Sequence, residues 1–216
     1  MWLPAADKEL SPPRDRQDRP ALEKIVAGLT TAAQTKPQDA ALQYRLALAQ
    51  SYLAEVALEV NDKRQARAAA ESGIRAAEKA VALKPAVAEY HRILGTLCGQ
   101  VIPANILAGL KYGKCALDEV TKAIELDPKS SDAHLSRGVG NYYLPPAFGG
   151  GIELAIRDFQ QAIKLNPRSG EAHLWLGVAL RKGNRNSEAR KALARALELN
   201  PERIWARRQL EKTPAE

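Results

Sequence analysis

The stretch GEAHLWLGVALRKGNRNSEARKALARALELNP, from Gly170 to Pro201, decides the fold. Counted from Gly170, Gly177 is the eighth residue, Ala189 the twentieth and Leu193 the twenty-fourth. The small residues Gly177 and Ala189 predict two antiparallel helices in close contact, because helices approach more closely where a side chain is small. Pro201 predicts the end of the second helix, since proline cannot continue it.

The same helix ending recurs along the chain. AVALKP ends at Pro85, AIELDP at Pro128 and AIKLNP at Pro167, and a degenerate copy, TAAQTKP, ends at Pro37. The intervals between successive prolines are 48, 43, 39 and 34 residues. A small residue also recurs at the eighth position of each copy. Four repeats therefore share one register, and their eighth residues are Ala47, Gly95, Gly138 and Gly177.

This pattern resembles the tetratricopeptide repeat (TPR), a helix–turn–helix unit of about 34 residues. The resemblance implies an all-α, TPR-type α-solenoid of about four helix–turn–helix repeats with capping helices and interhelix insertions. The insertions are predicted around residues 56–65 and 100–109 and over LPPAFGGG, Leu144–Gly151. Residues 1–20 are predicted to be a disordered arm, 21–212 a TPR superhelical domain and 213–216 a tail. Capping helices are predicted over residues 21–36 and 202–210.

The composition excludes several classes of protein. Hydrophobic residues make up 45% and charged residues 26% of the 216 residues, an ordinary globular mix that excludes wholesale disorder. No apolar run approaches the roughly 18 residues that a membrane helix needs, so we expect a soluble protein without a membrane span. The N-terminus lacks the pattern of a secretion signal. A cytoplasmic location is the first expectation, and an exported or periplasmic one the alternative if a leader was removed.

The residues that most often carry chemistry do not form a recognisable catalytic or metal site. His91, His134 and His173 occupy the fourth position of successive repeats. Equivalent positions lie about 10 Å apart at helix packing distances, so the three cannot share one metal ion, and we expect them to pack between helices. GLKYGKC, Gly109–Cys115, lacks the spacing and the Ser or Thr of a phosphate-binding loop. We therefore predict no enzyme activity, no metal and no cofactor.

The two cysteines and the glycine run leave alternatives open. Cys98 and Cys115 are expected at the contact between two helices as buried thiols, or as a disulfide if the protein is exported. The glycines at 149–151 precede a helix whose N-terminus could hold an anion, although a turn that clears the insertion explains them more simply.

The TPR resemblance also implies where a partner binds. In that family, positions two, five, nine, twelve and thirteen of each first helix line a concave groove. Some TPR domains grip the C-terminal carboxylate of heat-shock chaperones with Lys and Asn side chains. This chain departs from them, because its matching positions do not carry those residues. The remaining lining is apolar and aromatic, with arginines as cationic points. The predicted partner-binding residues are Tyr44, Leu48, Arg92, Thr96, Leu135, Val139, Tyr142, Leu174, Val178 and Arg181.

Two functions remain open from the sequence. The first is a non-catalytic TPR scaffold or adaptor that binds a protein or peptide segment in this groove. The alternative is a carrier of a small hydrophobic ligand or solute. The long helices with insertions are similar in layout to TPR proteins of transport systems and to the regulator-of-microtubule-dynamics family, some of which hold lipids. The net charge is +7, and many of the basic residues lie towards the C-terminus. This charge does not predict nucleic-acid binding, because acidic residues are mixed with those basic residues.

Overall fold

The structure, a computed structural model, describes residues 4–104 and 109–215. This part of the chain forms α-helices, with one short 3₁₀ helix at Pro146–Phe148 and no strand. None of its helices combines the length and the apolarity that a membrane crossing requires. The helices are α1 Pro4–Asp15, α2 Arg19–Thr35, α3 Ala40–Glu59, α4 Lys63–Leu83, α5 Ala88–Ala104, α6 Gly109–Leu126, α7 Ser131–Tyr143, α8 Ile152–Leu165, α9 Gly170–Lys182, α10 Asn186–Leu199 and α11 Ile204–Glu211.

The helices pack as successive hairpins in two compact units. The N-terminal unit, Met1–Leu126, contains the hairpins α1–α2, α3–α4 and α5–α6. The C-terminal unit, Asp127–Glu216, contains α7–α8 and α9–α10, and α11 packs against α10. In each unit a first helix also contacts the first helix of the neighbouring hairpin, as α3 and α5 do. The predicted all-α, TPR-type architecture is therefore confirmed.

The repeated prolines and glycines act as the sequence predicts. Pro85, Pro128 and Pro167 each come within two residues of a helix end. A Cβ atom built on Gly138 would lie 2.5 Å from Cε1 of the fully buried Phe159, and one on Gly177 would lie 2.5 Å from Cγ of Leu193. The absence of a side chain at these positions is therefore what lets the paired helices approach.

The N-terminal stretch differs from the sequence expectation. The sequence predicts a disordered arm over residues 1–20, but Pro4–Asp15 form α1, which packs on α2 and α3. Leu10 is only 1% exposed, and Glu9 forms an ion pair with Arg45 at 2.9 Å. The degenerate repeat that ends at Pro37 thus has a first helix, so α2 is not a lone cap. A single repeat domain over residues 21–212 stays a prediction.

The extra residues of the longer repeats are placed differently from the predicted insertions. Helices α3 and α4 contain 20 and 21 residues, against 13 and 14 in α9 and α10. In the first repeat the extra residues therefore lengthen both helices. In the third repeat they form the predicted loop, which includes the 3₁₀ helix. The second insertion falls partly on residues 105–108, outside the described residues. Thr213, in the predicted tail, is 2% exposed.

Candidate functional site

In the N-terminal unit, the predicted groove residues on α3 are buried. Tyr44 and Leu48 are 6% and 2% exposed. The Tyr44 ring stacks on Tyr90 with 5.2 Å between centroids, and its hydroxyl donates to Oε1 of Glu89 at 2.9 Å. These two side chains are thus part of the core of the unit in this structure, because the first helices of neighbouring repeats close over them.

Arg92, the predicted cationic point of this unit, already has a carboxylate partner. Its Nε donates to Oε2 of Glu89 at 2.7 Å, and both side chains are largely buried. The positive charge of Arg92 is therefore compensated within the protein. Thr96, one turn further along α5, is partly exposed.

In the C-terminal unit, the predicted groove residues divide into core and surface. Leu174 and Val178 are 0% and 4% exposed and pack with Leu193 and Ala206. Leu135, Val139 and Tyr142 are partly exposed and border the cluster that contains Ile156 and Phe159. The second group is therefore partly open to solvent, whereas the first group belongs to the core.

Four aromatic side chains of this unit form a continuous row, which we call the aromatic row. Trp175 lies at its centre, with its ring centroid 5.8 Å from that of Tyr142, 6.2 Å from Tyr143 and 5.0 Å from Trp205. The row therefore crosses α7, α9 and α11. All four rings are at least partly exposed, and Tyr143 is 52% exposed.

The aromatic row retains polar groups that the protein does not use. The indole N–H groups of Trp175 and Trp205 and the hydroxyl of Tyr142 make no hydrogen bond with any described residue. No side-chain nitrogen or oxygen that is buried lacks a partner in the described part of the chain. These three groups are therefore reached by solvent and can donate to a ligand. Burial raises the pKa of the Tyr142 hydroxyl, and the nearby charge of Arg181 partly opposes this effect.

Two cations border the aromatic row, and both are held by neutral oxygens. Arg181 donates to the backbone oxygen of Gln209 at 3.0 Å and to its Oε1 at 2.6 Å. Nζ of Lys182 donates to the backbone oxygen of Tyr142 at 3.2 Å and lies 4.2 Å from the centroid of that ring. Among the described residues, no carboxylate forms an ion pair with either cation. Their charges are therefore available to an anionic partner.

A buried ion pair supports the outer end of the row. Arg203 is 1% exposed, and its Nε donates to Oε1 of Glu171 at 2.9 Å. The guanidinium carbon of Arg203 also lies 5.7 Å from the ring centroid of Trp205. Because a buried guanidinium has little freedom, these contacts fix the position of Trp205 on α11.

The three histidines share one contact, which agrees with their shared repeat position. In each, Nε2 lies within hydrogen-bond distance of the backbone oxygen of the proline six residues earlier. The distances are 2.8 Å for His91 to Pro85, 3.2 Å for His134 to Pro128 and 3.2 Å for His173 to Pro167. His91 and His134 are buried. The side chain at the fourth position thus ties each first helix to the preceding turn, as the packing interpretation expects.

The remaining motifs have structural roles in the described chain. Residues Gly109–Leu126 are helical, so GLKYGKC is the first turns of α6 and not a loop. Gly149 and Gly151 have φ angles of +85° and +124°, which favour glycine and close the turn before α8. Phe148, at the end of the 3₁₀ helix in this turn, is 73% exposed.

The two cysteines are joined. Cys98 on α5 and Cys115 on α6 form a disulfide, with their Cα atoms 6.0 Å apart. The structure therefore departs from the first expectation of two thiols and takes the alternative that the sequence left open. The helix contact was predicted, but the oxidation state was not readable from two isolated cysteines.

Neither Trp175 nor Trp205 is among the site residues that the sequence predicts. Trp175 is the sixth residue of its repeat, which is not among the groove positions that the TPR resemblance implied. The available signal was the presence of two of the three tryptophans near the C-terminus of a chain with 5% aromatic residues. Their occurrence on successive first helices indicates a shared surface.

Comparisons with known proteins agree with the repeat architecture. The family described as regulator of microtubule dynamics protein 1-3 matches residues 14–144, and the tetratricopeptide repeat family matches residues 148–204. Among solved structures, the TPR protein TTC0263 of Thermus thermophilus has a TM-score of 0.67 and 20% identity, over 97% of this chain and 98% of that one. MamA of Desulfovibrio magneticus RS-1 has a TM-score of 0.48 and 17% identity, over 93% and 98%. No curated protein sequence matches the chain significantly.

Proposed function

This chain is a TPR protein of the regulator of microtubule dynamics 1–3 family, and we propose that it is a non-catalytic scaffold whose aromatic row binds an acidic segment of a partner protein. The name of the family describes regulators of microtubule dynamics, a role that contact with other proteins can perform. The fold supports the proposal because stacked helical hairpins present an extended surface with little chemistry of their own.

The observation that carries the proposal is the uncompensated charge beside the aromatic row. Arg181 and Lys182 donate only to neutral oxygens, so a carboxylate of the partner can approach them without displacing an internal one. Arg92 is different, because Glu89 already pairs with it. The two predicted arginine points are therefore not equivalent, and the C-terminal unit supplies the cationic one.

The apolar part of the proposed contact is the exposed surface of the row itself. Aromatic side chains bury a large area with few rotatable bonds, which makes them effective anchors of protein interfaces. Leu135 and Val139 are partly exposed in the same unit and extend the apolar surface. Leu174 and Val178 contribute by holding this surface in place from the core.

A panel of labelled acidic peptides with apolar anchors tests this function by fluorescence anisotropy. Each acidic peptide is paired with a version in which glutamine replaces glutamate. We expect the acidic versions to bind more tightly, and Lys182→Glu to weaken them about tenfold, which corresponds to ~1.4 kcal/mol. Lys191→Glu is the matched control, because Lys191 is an exposed cation on α10 outside the row. Equal binding by both variants, or no preference for glutamate, would contradict the proposal.

A small hydrophobic ligand remains the second candidate, and an open cleft is the place to test it. A cleft of 480 Å³ in the N-terminal unit is lined by Glu9 of α1 and by a mostly apolar face of α2. Its lining on α2 consists of Ala21, Lys24, Ile25, Gly28 and Leu29. Native mass spectrometry of gently purified protein distinguishes the candidates. A retained extra mass that disappears in the variant Ile25→Asp supports the carrier function. The mass of the protein alone favours the scaffold function.

A further inference from the structure

We propose that the segment bound by the aromatic row is an extended, proline-containing acidic chain in the polyproline II conformation. This inference rests on the proposed function and names the conformation of its partner. The observations that carry it are the direction of the row, the unused donors along it and the charge at its side.

The direction of the row favours an extended ligand. Its rings lie on three helices in turn, with Tyr142 on α7, Trp175 on α9 and Trp205 on α11, and neighbouring centroids are 5.8 and 5.0 Å apart. A ligand that covers the row therefore runs across the helix axes instead of along one of them. A polyproline II chain repeats every three residues, or about 9 Å, so two prolines one repeat apart can contact the outer rings, Tyr142 and Trp205, on either side of Trp175.

An α-helical ligand matches this surface less well. Its pitch of about 5.4 Å is close to the 5.8 and 5.0 Å between neighbouring ring centroids, so the distinction rests on hydrogen bonding. Its backbone groups are also satisfied internally, so it has no acceptors to offer to the rings.

The unused donors match the backbone of an extended chain. Polyproline II has no internal hydrogen bonds, and its carbonyl oxygens stay free to accept. The indole N–H groups of Trp175 and Trp205 and the hydroxyl of Tyr142 make no hydrogen bond with the described residues. Each can therefore donate to a ligand carbonyl while its ring packs against a proline, which is how aromatic-lined grooves recognise such chains.

The charge beside the row selects acidic residues in the same ligand. Arg181 and Lys182 lie next to Tyr142 and have no carboxylate partner among the residues described. Arg208 on the adjacent α11 is exposed. A glutamate or aspartate one turn away from a bound proline is therefore favoured, and a lysine at that place is disfavoured.

The test compares labelled acidic peptides of equal charge and length, one with prolines at every third position and one with alanines there. We expect the proline peptide to bind the full chain at least tenfold more tightly by fluorescence anisotropy, in line with the energy of a single well-packed anchor (about 1.4 kcal/mol). Trp205→Phe keeps an aromatic ring, although a smaller one, and removes the N–H group, and we expect it to weaken binding of the proline peptide several-fold. Trp205→Ala should abolish most binding, and its circular dichroism and melting temperature show whether it still folds.

Phe148→Ala is the control, because Phe148 is an exposed aromatic residue outside the row. Equal binding of the proline and alanine peptides overturns this inference and leaves the proposed function standing. Failure of every acidic peptide to bind overturns the proposed function as well. Loss of the proline peptide in Phe148→Ala, with Trp205→Phe unchanged, overturns the assignment to the row.

Discussion

The guanidinium of Arg181 on α9 holds Gln209 on α11 through two hydrogen bonds, at 3.0 Å to the backbone oxygen and 2.6 Å to Oε1. One side chain thereby does two things. It attaches the last helix to the repeat before it, and it keeps a positive charge beside the aromatic row, because both acceptors are neutral. The stability of α11 and the charge of the proposed site are therefore linked.

We expect Arg181→Ala to lower the free energy of unfolding by about 1–3 kcal/mol, because hydrogen bonds to charged groups are lost and Gln209 is left without its partner. Arg208→Ala removes an exposed cation from the same α11 and should change stability by less than about 0.5 kcal/mol. Urea unfolding of the two variants measures the difference. Equal stability would show that the bonds to Gln209 contribute nothing.

Gly138 and Gly140 on α7 provide a matched test of the close helix contact. Gly138→Ala should cost about 1–3 kcal/mol, because the new Cβ meets the fully buried ring of Phe159 and the core must shift. Gly140→Ala has open space around it and should stabilise the helix by about 0.5–1 kcal/mol. Thermal or urea unfolding decides between them, and the prediction is wrong if both variants change stability in the same direction.

Much of the fold was predictable because the repeat contains residues, such as proline, that strongly affect the local backbone. The prolines at 85, 128 and 167 stop helices whatever surrounds them, and the equivalence of His91 and His134 follows from counting alone. The site was less predictable. Of the groove positions that the TPR resemblance implies, Tyr142 is partly exposed, whereas Tyr44 and Leu48 are buried, because their burial depends on how closely the neighbouring helices pack.

Pairing of charges was also beyond the sequence. Arg92 and Arg181 look alike as cationic residues on first helices, yet one contacts a carboxylate and the other an amide. The sequence does not predict helix α1, because its mixed charges and its prolines are typical of a poorly ordered arm, yet Pro12 and Pro13 both lie inside the helix. The disulfide depends on side-chain distance and on oxidation, and neither is encoded in spacing.

The disulfide between Cys98 and Cys115 should stabilise the hairpin α5–α6. The cysteines are 17 residues apart, and closing a loop of about 15 residues is worth ~3 kcal/mol in the chain-entropy view. We expect reductant, or the double variant Cys98→Ser and Cys115→Ser, to lower the unfolding free energy by a similar amount. Two reactive thiols in protein denatured without reductant would contradict the bond.

Ionisation of Tyr142 should oppose folding at high pH. Burial raises its pKa above the ordinary value of 10.0 in the folded state, so the folded protein retains the phenolic proton more strongly than the unfolded chain does. The contribution of the protonated Tyr142 hydroxyl to the free energy of unfolding is fully present below pH 10, and it is lost as the pH rises through the pKa of the folded state. Comparison of Tyr142→Phe with the wild type by urea unfolding should show a smaller loss in the variant above pH 10. An identical pH profile for both proteins would refute the prediction.

Binding on the aromatic row should weaken with salt. Lys182 is exposed and Arg181 is only partly buried, and charges in such positions are screened over about 10 Å at 0.1 M ionic strength. We expect the affinity for an acidic peptide to fall as salt is added, and to fall less steeply in Lys182→Gln. A salt dependence that is unchanged by this substitution would place the acidic contact elsewhere on the chain.

The most direct test of the central claim is a titration of the full chain with the acidic proline peptide, followed through the indole N–H signals of Trp175 and Trp205 by nuclear magnetic resonance. Assignment comes from the variants Trp175→Phe and Trp205→Phe. The aromatic row predicts that both signals move together and saturate at the concentration at which anisotropy reports binding. A peptide that binds while both indole signals stay in place would contradict it.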